Sequence, residues 1–111
     1  FAHVIENITD YKRYLHGEAV GIGMSMANKL AVRAVGFSRA EDERVDDLLE
    51  RYGLEGRFFI EDLDGFYTKF FLDKKSLDSK LKFILPTRIG EAKIFDNIKK
   101  EDILNTLELY T

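Results

Sequence analysis

The sequence contains no cysteine, so no disulfide can staple it and no thiolate can hold a metal. That composition fits a reducing compartment, and a cytoplasmic location is the expectation. Histidine is nearly as scarce, with His3 and His16 the only two. Any metal site must therefore draw on imidazole and carboxylate groups. Positive charge is not in excess either. The 17 basic residues are scattered among 20 acidic ones, giving a net charge of -3 and a pI near 5.4. This argues against a nucleic-acid partner or an anionic membrane surface. No basic leader followed by an apolar core opens the chain, and there are no repeats, low-complexity tracts or long linkers. The one long apolar stretch, Gly17 to Val35, approaches a membrane span in length. Three glycines and an interior Asn28-Lys29 pair argue instead for a central core helix.

What is present is enough for one compact domain over residues 1–111 and too little for two, with 45% hydrophobic content. The chain opens on Phe1, and "FAHVIEN" reads as a helix already under way with no capping residue before it, so the expectation is a piece of something longer. Ala2, Ile5 and Ile8 mark the inward face of this first helix, and "TDYKR" closes it. The second helix, Gly17 to Val35, is buried on most sides, with Ser25, Asn28, Lys29 and Arg33 in one narrow polar stripe. Gly17 and Gly21 lie four apart and would let a neighbouring backbone come close. Ser38 with Glu41 forms a capping box for a third helix, in which Val45, Leu48, Leu49 and Tyr52 follow an amphipathic spacing up to Gly53.

A fourth helix is expected from about Asp62 to Leu72, with Leu63, Phe66, Tyr67, Phe70 and Phe71 inward despite Gly65. After the charged link "DKKSLDSK", two β-rich runs broken by Pro86 to Gly90 read as a hairpin. A last helix, Glu101 to Tyr110, would turn Ile103, Leu104, Leu107 and Tyr110 inward. The fold class is thus mainly α, about five helices with one small β-hairpin near the C-terminus.

The chemistry-bearing residues are few, and each has two readings. His16 begins the buried helix, where the positive dipole end favours a neutral imidazole able to bind a metal. The structural alternative is that it caps the helix with its ring against Tyr14. Two histidines thirteen apart make no self-contained ligand pattern. Lys74 and Lys75 follow a helix, where lysines are favourably placed by the dipole and solvated, or could hold an anion such as phosphate. Glu18 complements the helix dipole from the first turn. "GIG" at Gly21 to Gly23 lacks the context of a dinucleotide fingerprint.

The run "HVIENITDYKRYLHGEAVGIGM" closely resembles the C-terminal domain of the 3-dehydroquinate synthase family, in which a histidine, a spacer and "LHGEAVAIGM" recur in this order. "LDKK" at Leu72 to Lys75 and "KLKFILPTRIGEAKIFDNI" resemble further segments of that family in register. Ala2 stands where many members have glycine, and Gly21 where alanine is commoner. The resemblance implies an enzyme that takes 3-deoxy-D-arabino-heptulosonate 7-phosphate to 3-dehydroquinate in the shikimate pathway, with NAD and a divalent metal, zinc or cobalt. Carried over by position, His16 matches a metal ligand. His3 matches a histidine at the substrate's phosphate and proton-transfer side, and Lys74 or Lys75 matches a phosphate-binding lysine.

The same resemblance implies that the NAD-binding N-terminal domain, the glutamate ligand and a further histidine lie outside this chain. The full enzyme would be a homodimer. The chain alone is expected to be inactive, to bind neither cofactor tightly, and to self-associate through the apolar face that its buried helix would turn to the missing half. Other sugar-phosphate cyclases of the 2-deoxy-scyllo-inosose synthase type share these motifs. Iron-type alcohol and glycerol dehydrogenases share the histidine geometry but have no phosphate for the lysine pair to meet. A standalone helical interaction module is the alternative from a different class.

Overall fold

The computed structural model describes residues 1–8, 16–54, 58–72 and 82–111, leaving aside the side chains of residues 7, 8 and 70–72. Five helices and a two-stranded antiparallel hairpin follow in the order α1 (Ala2–Ile8), α2 (His16–Ala34), α3 (Arg39–Arg51), α4 (Leu63–Leu72), β1 (Phe83–Arg88), β2 (Glu91–Phe95) and α5 (Lys100–Glu108). The expected class and the order of elements therefore hold. The turn expected at "TDYKR" and the link "DKKSLDSK" lie outside the described residues, as do the side chains of Ile8, Phe70 and Phe71.

Helix α2 is the axis of the domain, packing against α1, α3, α5 and β1. Its Ala19, Ile22, Met26, Leu30 and Ala31 join Val4 and Ile5 of α1, Phe66 of α4, Phe83 and Leu85 of β1, and Ile103 and Leu107 of α5 in one apolar core. A helix contacted on so many sides must be apolar over most of its circumference, which accounts for its composition. Small residues set how closely its neighbours come. A Cβ on Gly21 would run into the carbonyl oxygen of Leu54, and one on Gly23 would stand 2.9 Å from the amide nitrogen of Ala2. Gly17, expected to serve the same purpose, has nothing within 4 Å of such a position among the described residues. It is exposed at the start of the helix.

Local signals account for the ends of α3 and α4. Ser38 Oγ accepts the Glu41 amide at 3.4 Å, the forward half of the expected capping box. At the other end Gly53 takes φ of 69°, which lets its amide reach the Glu50 carbonyl and the Leu54 amide reach that of Leu49, at 3.0 and 2.8 Å. Asp62 caps α4 by accepting the Gly65 amide at 3.0 Å. A Cβ on Gly65 would meet that carboxylate, so the glycine is explained by the cap beside it.

Three further expectations are corrected. The predicted apolar stripe of α3 is not the face that packs. Leu49 is buried and Val45 half-buried, whereas Leu48 is 53% and Tyr52 73% exposed. The helix instead turns Asp42 and Asp46 towards α2, where Lys29 holds both carboxylates at 3.0 and 2.6 Å. Charge pairing across the α2–α3 contact outweighs the burial of two side chains that a rotated helix would have gained. In the hairpin, Pro86 does not break the strand but lies within β1 opposite Ala92, beside an irregularity of register at Arg88. A two-stranded sheet has only edges, where a missing N–H is tolerated, and the turn itself falls at Gly90 with φ of 91°. At the end of the chain α5 begins at Lys100 and stops at Glu108, and Leu104 and Tyr110 are only half-buried. Thr106, not expected inside, is buried and donates to the Asp102 carbonyl at 2.8 Å.

Candidate functional site

Helix α1 runs back along α2, with Ala2 beside Gly23 at one end and Glu6 beside His16 at the other. The absent side chain at Gly23 thus permits the approach that seats a carboxylate at the mouth of α2. His16 Nδ1 lies 3.2 Å from both Glu6 oxygens. The two partners differ sharply in setting, since the Glu6 side chain is 9% exposed and that of His16 71%. A carboxylate that far from water requires hydrogen-bond donors, and the ring lies where its Nδ1 can be one. The amides at the start of α2 also lend their positive end to this region, where Glu18 occupies the first turn.

His3 is exposed on α1, three residues before Glu6 and hence one turn away on the same side of the helix. His3 follows Ala2, the residue beside Gly23, and so lies toward the end of α1 away from the Glu6–His16 pair. Glu6, which the sequence reading passed over, is the residue of α1 that meets His16. The signal available was a carboxylate in the middle of a turn whose neighbours Val4 and Ile5 are core. Tyr14, the expected packing partner of the His16 ring, lies outside the described residues, as do Lys74 and Lys75.

The fit of this site to a divalent metal can be tested on its donors. Among the described residues no group of three or more histidines and carboxylates is close enough to hold an ion. What they offer is one solvent-facing imidazole whose second nitrogen is backed by a buried carboxylate, a pairing found behind metal-bound histidines. The remaining ligands would have to come from elsewhere. From His16 the exposed side of α2 continues through Gly17, half-buried Val20 and exposed Met24. Further apolar exposure appears where it was not anticipated. Ile84 and Ile94 face each other across the outer surface of the hairpin, each 69% exposed.

A second polar cluster joins α2, α3 and the end of the chain. Besides the two ion pairs of Lys29, Ser25 Oγ donates to Asp46 at 2.9 Å. Burial pushes Asp42 above the ordinary carboxylate range, with Lys29 opposing and the charges of Asp46 and Glu43 adding to it. Burial alone would lower Lys29, but hydrogen bonds to Asp46 and Asp42 and their charges outweigh it and raise the ammonium. Both move up, which favours the charged form of Lys29 and disfavours that of Asp42, because Lys29 gains two anions while Asp42 must share one cation with a second carboxylate. Burial likewise raises Tyr110, against its hydrogen bond to Ser25 and the charge of Lys29. A cleft of about 460 Å³ beside this cluster is lined by Gly21, Ser25, Asp46, Phe58 and Tyr110 among others. Neither His16 nor Glu6 borders it, and the cluster is structural, tying α3 to the core helix.

No helix among the described residues is long and apolar enough to cross a membrane.

The family model described as 3-dehydroquinate synthase C-terminal matches residues 1–76, a span that contains His3, Glu6, His16, Lys74 and Lys75. The chain is 53% identical over 107 residues to the 3-dehydroquinate synthase of a Nitratiruptor species, covering 96% of this chain and 31% of that protein. It is 50% identical over 107 residues to the 3-dehydroquinate synthase of Campylobacter jejuni subsp. doylei, covering 96% of this chain and 30% of the relative. The synthase of Campylobacter hominis is 50% identical over 108 residues, which are 97% of this chain and 31% of the relative. The chain thus spans less than a third of the length of these relatives.

Proposed function

Because the chain belongs to the 3-dehydroquinate synthase family, we propose that it serves as the C-terminal helical domain of an enzyme that converts 3-deoxy-D-arabino-heptulosonate 7-phosphate to 3-dehydroquinate and phosphate in the shikimate pathway. The observation that carries the reading is the Glu6–His16 pair, which falls within the matched span and presents an oriented imidazole to solvent. The relatives carry the synthase name, which favours this reading over the sister cyclases and the dehydrogenases. An N-terminal NAD-binding domain would complete the active site, and the whole enzyme would work as a cytoplasmic homodimer.

When bound, NAD would supply hydride transfer, and a divalent metal such as zinc or cobalt would stabilise negative charge on the substrate's oxygens. The chain's own part would be to supply donors to the metal and to the substrate's phosphate. His16 would hold the metal through the nitrogen that Glu6 leaves open. His3, exposed and one turn from Glu6, would take or give a proton beside the phosphate. Lys74 and Lys75 would bind the phosphate as point charges. Neither the nucleotide site nor a complete ligand set belongs to this chain under the proposal, so it is inactive by itself.

Titration of the isolated chain with zinc tests this division of labour. The expected result is weak binding without stoichiometric saturation, because one imidazole cannot replace a full ligand set. Tight, stoichiometric binding that His16→Ala abolishes would contradict it.

A further inference from the structure

Behind the exposed ring of His16 stands a group that no sequence motif drew attention to. We propose that Glu6 is the positioning residue for His16, accepting the Nδ1 proton so that Nε2 is the nitrogen presented for metal binding. The proposal rests on the reading of His16 as a ligand. Three features of the site support it.

Both Glu6 oxygens lie 3.2 Å from Nδ1, so the carboxylate is centred on that nitrogen and either oxygen can accept its proton. The Glu6 side chain is buried while the ring is largely in water, which leaves Nε2 as the part of the ring able to meet an ion. And the carboxylate is carried by a second helix, held against α2 by the close approach of Ala2 to Gly23, so the ring is gripped from a fixed frame. An imidazole whose Nδ1–H is held by a carboxylate is locked in one tautomer and one orientation, and its Nε2 becomes the more basic. The opposite arrangement is chemically distinct. A protonated Glu6 donating to Nδ1 would place the remaining ring proton on Nε2 and close that nitrogen to a metal.

The two arrangements separate in the full-length protein. Long-range proton–nitrogen NMR on metal-free protein with labelled histidines reads the tautomer of His16 at a pH well above the ordinary imidazole range. Its signal is identified by loss in His16→Gln. The Nδ1–H form is expected, and the Nε2–H form would overturn the proposal without any variant of Glu6 needing to fold. Zinc affinity, measured by competition with a chelator, is the second readout. Glu6→Gln, which keeps an accepting oxygen but loses the charge, should weaken binding about 10-fold, and Glu6→Ala up to about 100-fold. A merely structural role for Glu6 would change thermal stability and leave zinc affinity alone. His16→Ala separates the two layers of the argument. Affinity lost in His16→Ala but unchanged in both Glu6 variants overturns the inference alone. Affinity unchanged in His16→Ala overturns the ligand reading and the inference with it.

Discussion

Replacing His16 by alanine in the full-length protein is expected to lower phosphate release from 3-deoxy-D-arabino-heptulosonate 7-phosphate about 1,000-fold while leaving the fold intact. The ring is 71% exposed and contributes nothing to the apolar core, so its loss leaves the packing of α2 untouched. Under the proposed function its removal takes away the one metal ligand that this chain supplies. Metal polarisation of a substrate oxygen is worth several kcal/mol, and ~4 kcal/mol corresponds to three factors of ten in rate. Circular dichroism of the variant should match the unmodified protein, and its zinc affinity should fall in parallel with its rate. Activity retained within about tenfold would mean that His16 is no ligand, since losing one should cost far more than that.

The largest effect on stability is expected at the opposite end of α2, from Lys29→Met. The methionine keeps the apolar stem but deletes the ammonium that holds Asp42 and Asp46 at 3.0 and 2.6 Å. Breaking a buried ion pair from one side costs about 3–5 kcal/mol. Here Asp46 and Lys29 retain some contact with water, and about 2 kcal/mol is the expected loss. The effect should depend on pH in a definite sense. Asp42 has a folded-state pKa raised above its ordinary value of 3.8, so its protonated form favours the fold. Stability from that group is full below 3.8 and is lost as pH rises through the folded value, and removing Lys29 widens that window. Lys29 is also raised, from 10.5, so its contribution is full below that pH and is lost as pH rises through its folded value. The deficit of Lys29→Met should therefore be small in acid, largest at neutral to mildly alkaline pH, and smaller again in strong alkali. Urea unfolding of both proteins across this range measures it. A deficit that did not vary with pH would show that the loss comes from packing and not from charge.

The Lys29 cluster also shows where sequence patterning reached its limit. The ends of α3 were legible because Ser38 and Gly53 act on backbone groups within a few residues of themselves. Its rotation about its own axis was not legible, because Val45, Leu48 and Tyr52 compete with Asp42 and Asp46 for the inner face. The contest is decided by Lys29, thirteen residues before Asp42 in sequence. The same holds for the candidate site. His3 and His16 were picked out as the chain's only imidazoles and given roles by the family resemblance, whereas Glu6 carries meaning only once α1 folds back along α2. Gly23, whose lack of a side chain allows that approach, could not be told from Gly17, which allows none among the described residues. Pro86 misled for a related reason. A proline marks a break in a central strand but is harmless at an edge, and sequence alone does not reveal how many strands the sheet has.

The apolar surfaces left in view bear on what the chain does apart from its proposed partner domain. Met24 near the middle of α2, Leu48 and Tyr52 on α3, and the Ile84–Ile94 pair on the hairpin lie on separate elements. Exposed apolar patches favour association where they are contiguous.

The central claim is that this chain completes, from its own end, the active site of a dehydroquinate synthase. Phosphate release from 3-deoxy-D-arabino-heptulosonate 7-phosphate, in the presence of NAD and zinc or cobalt, tests it most directly when the full-length protein and the isolated 111-residue chain are assayed side by side. Release by the full-length protein and none by the chain is the predicted result. Release by neither, or equal release by both, would contradict it.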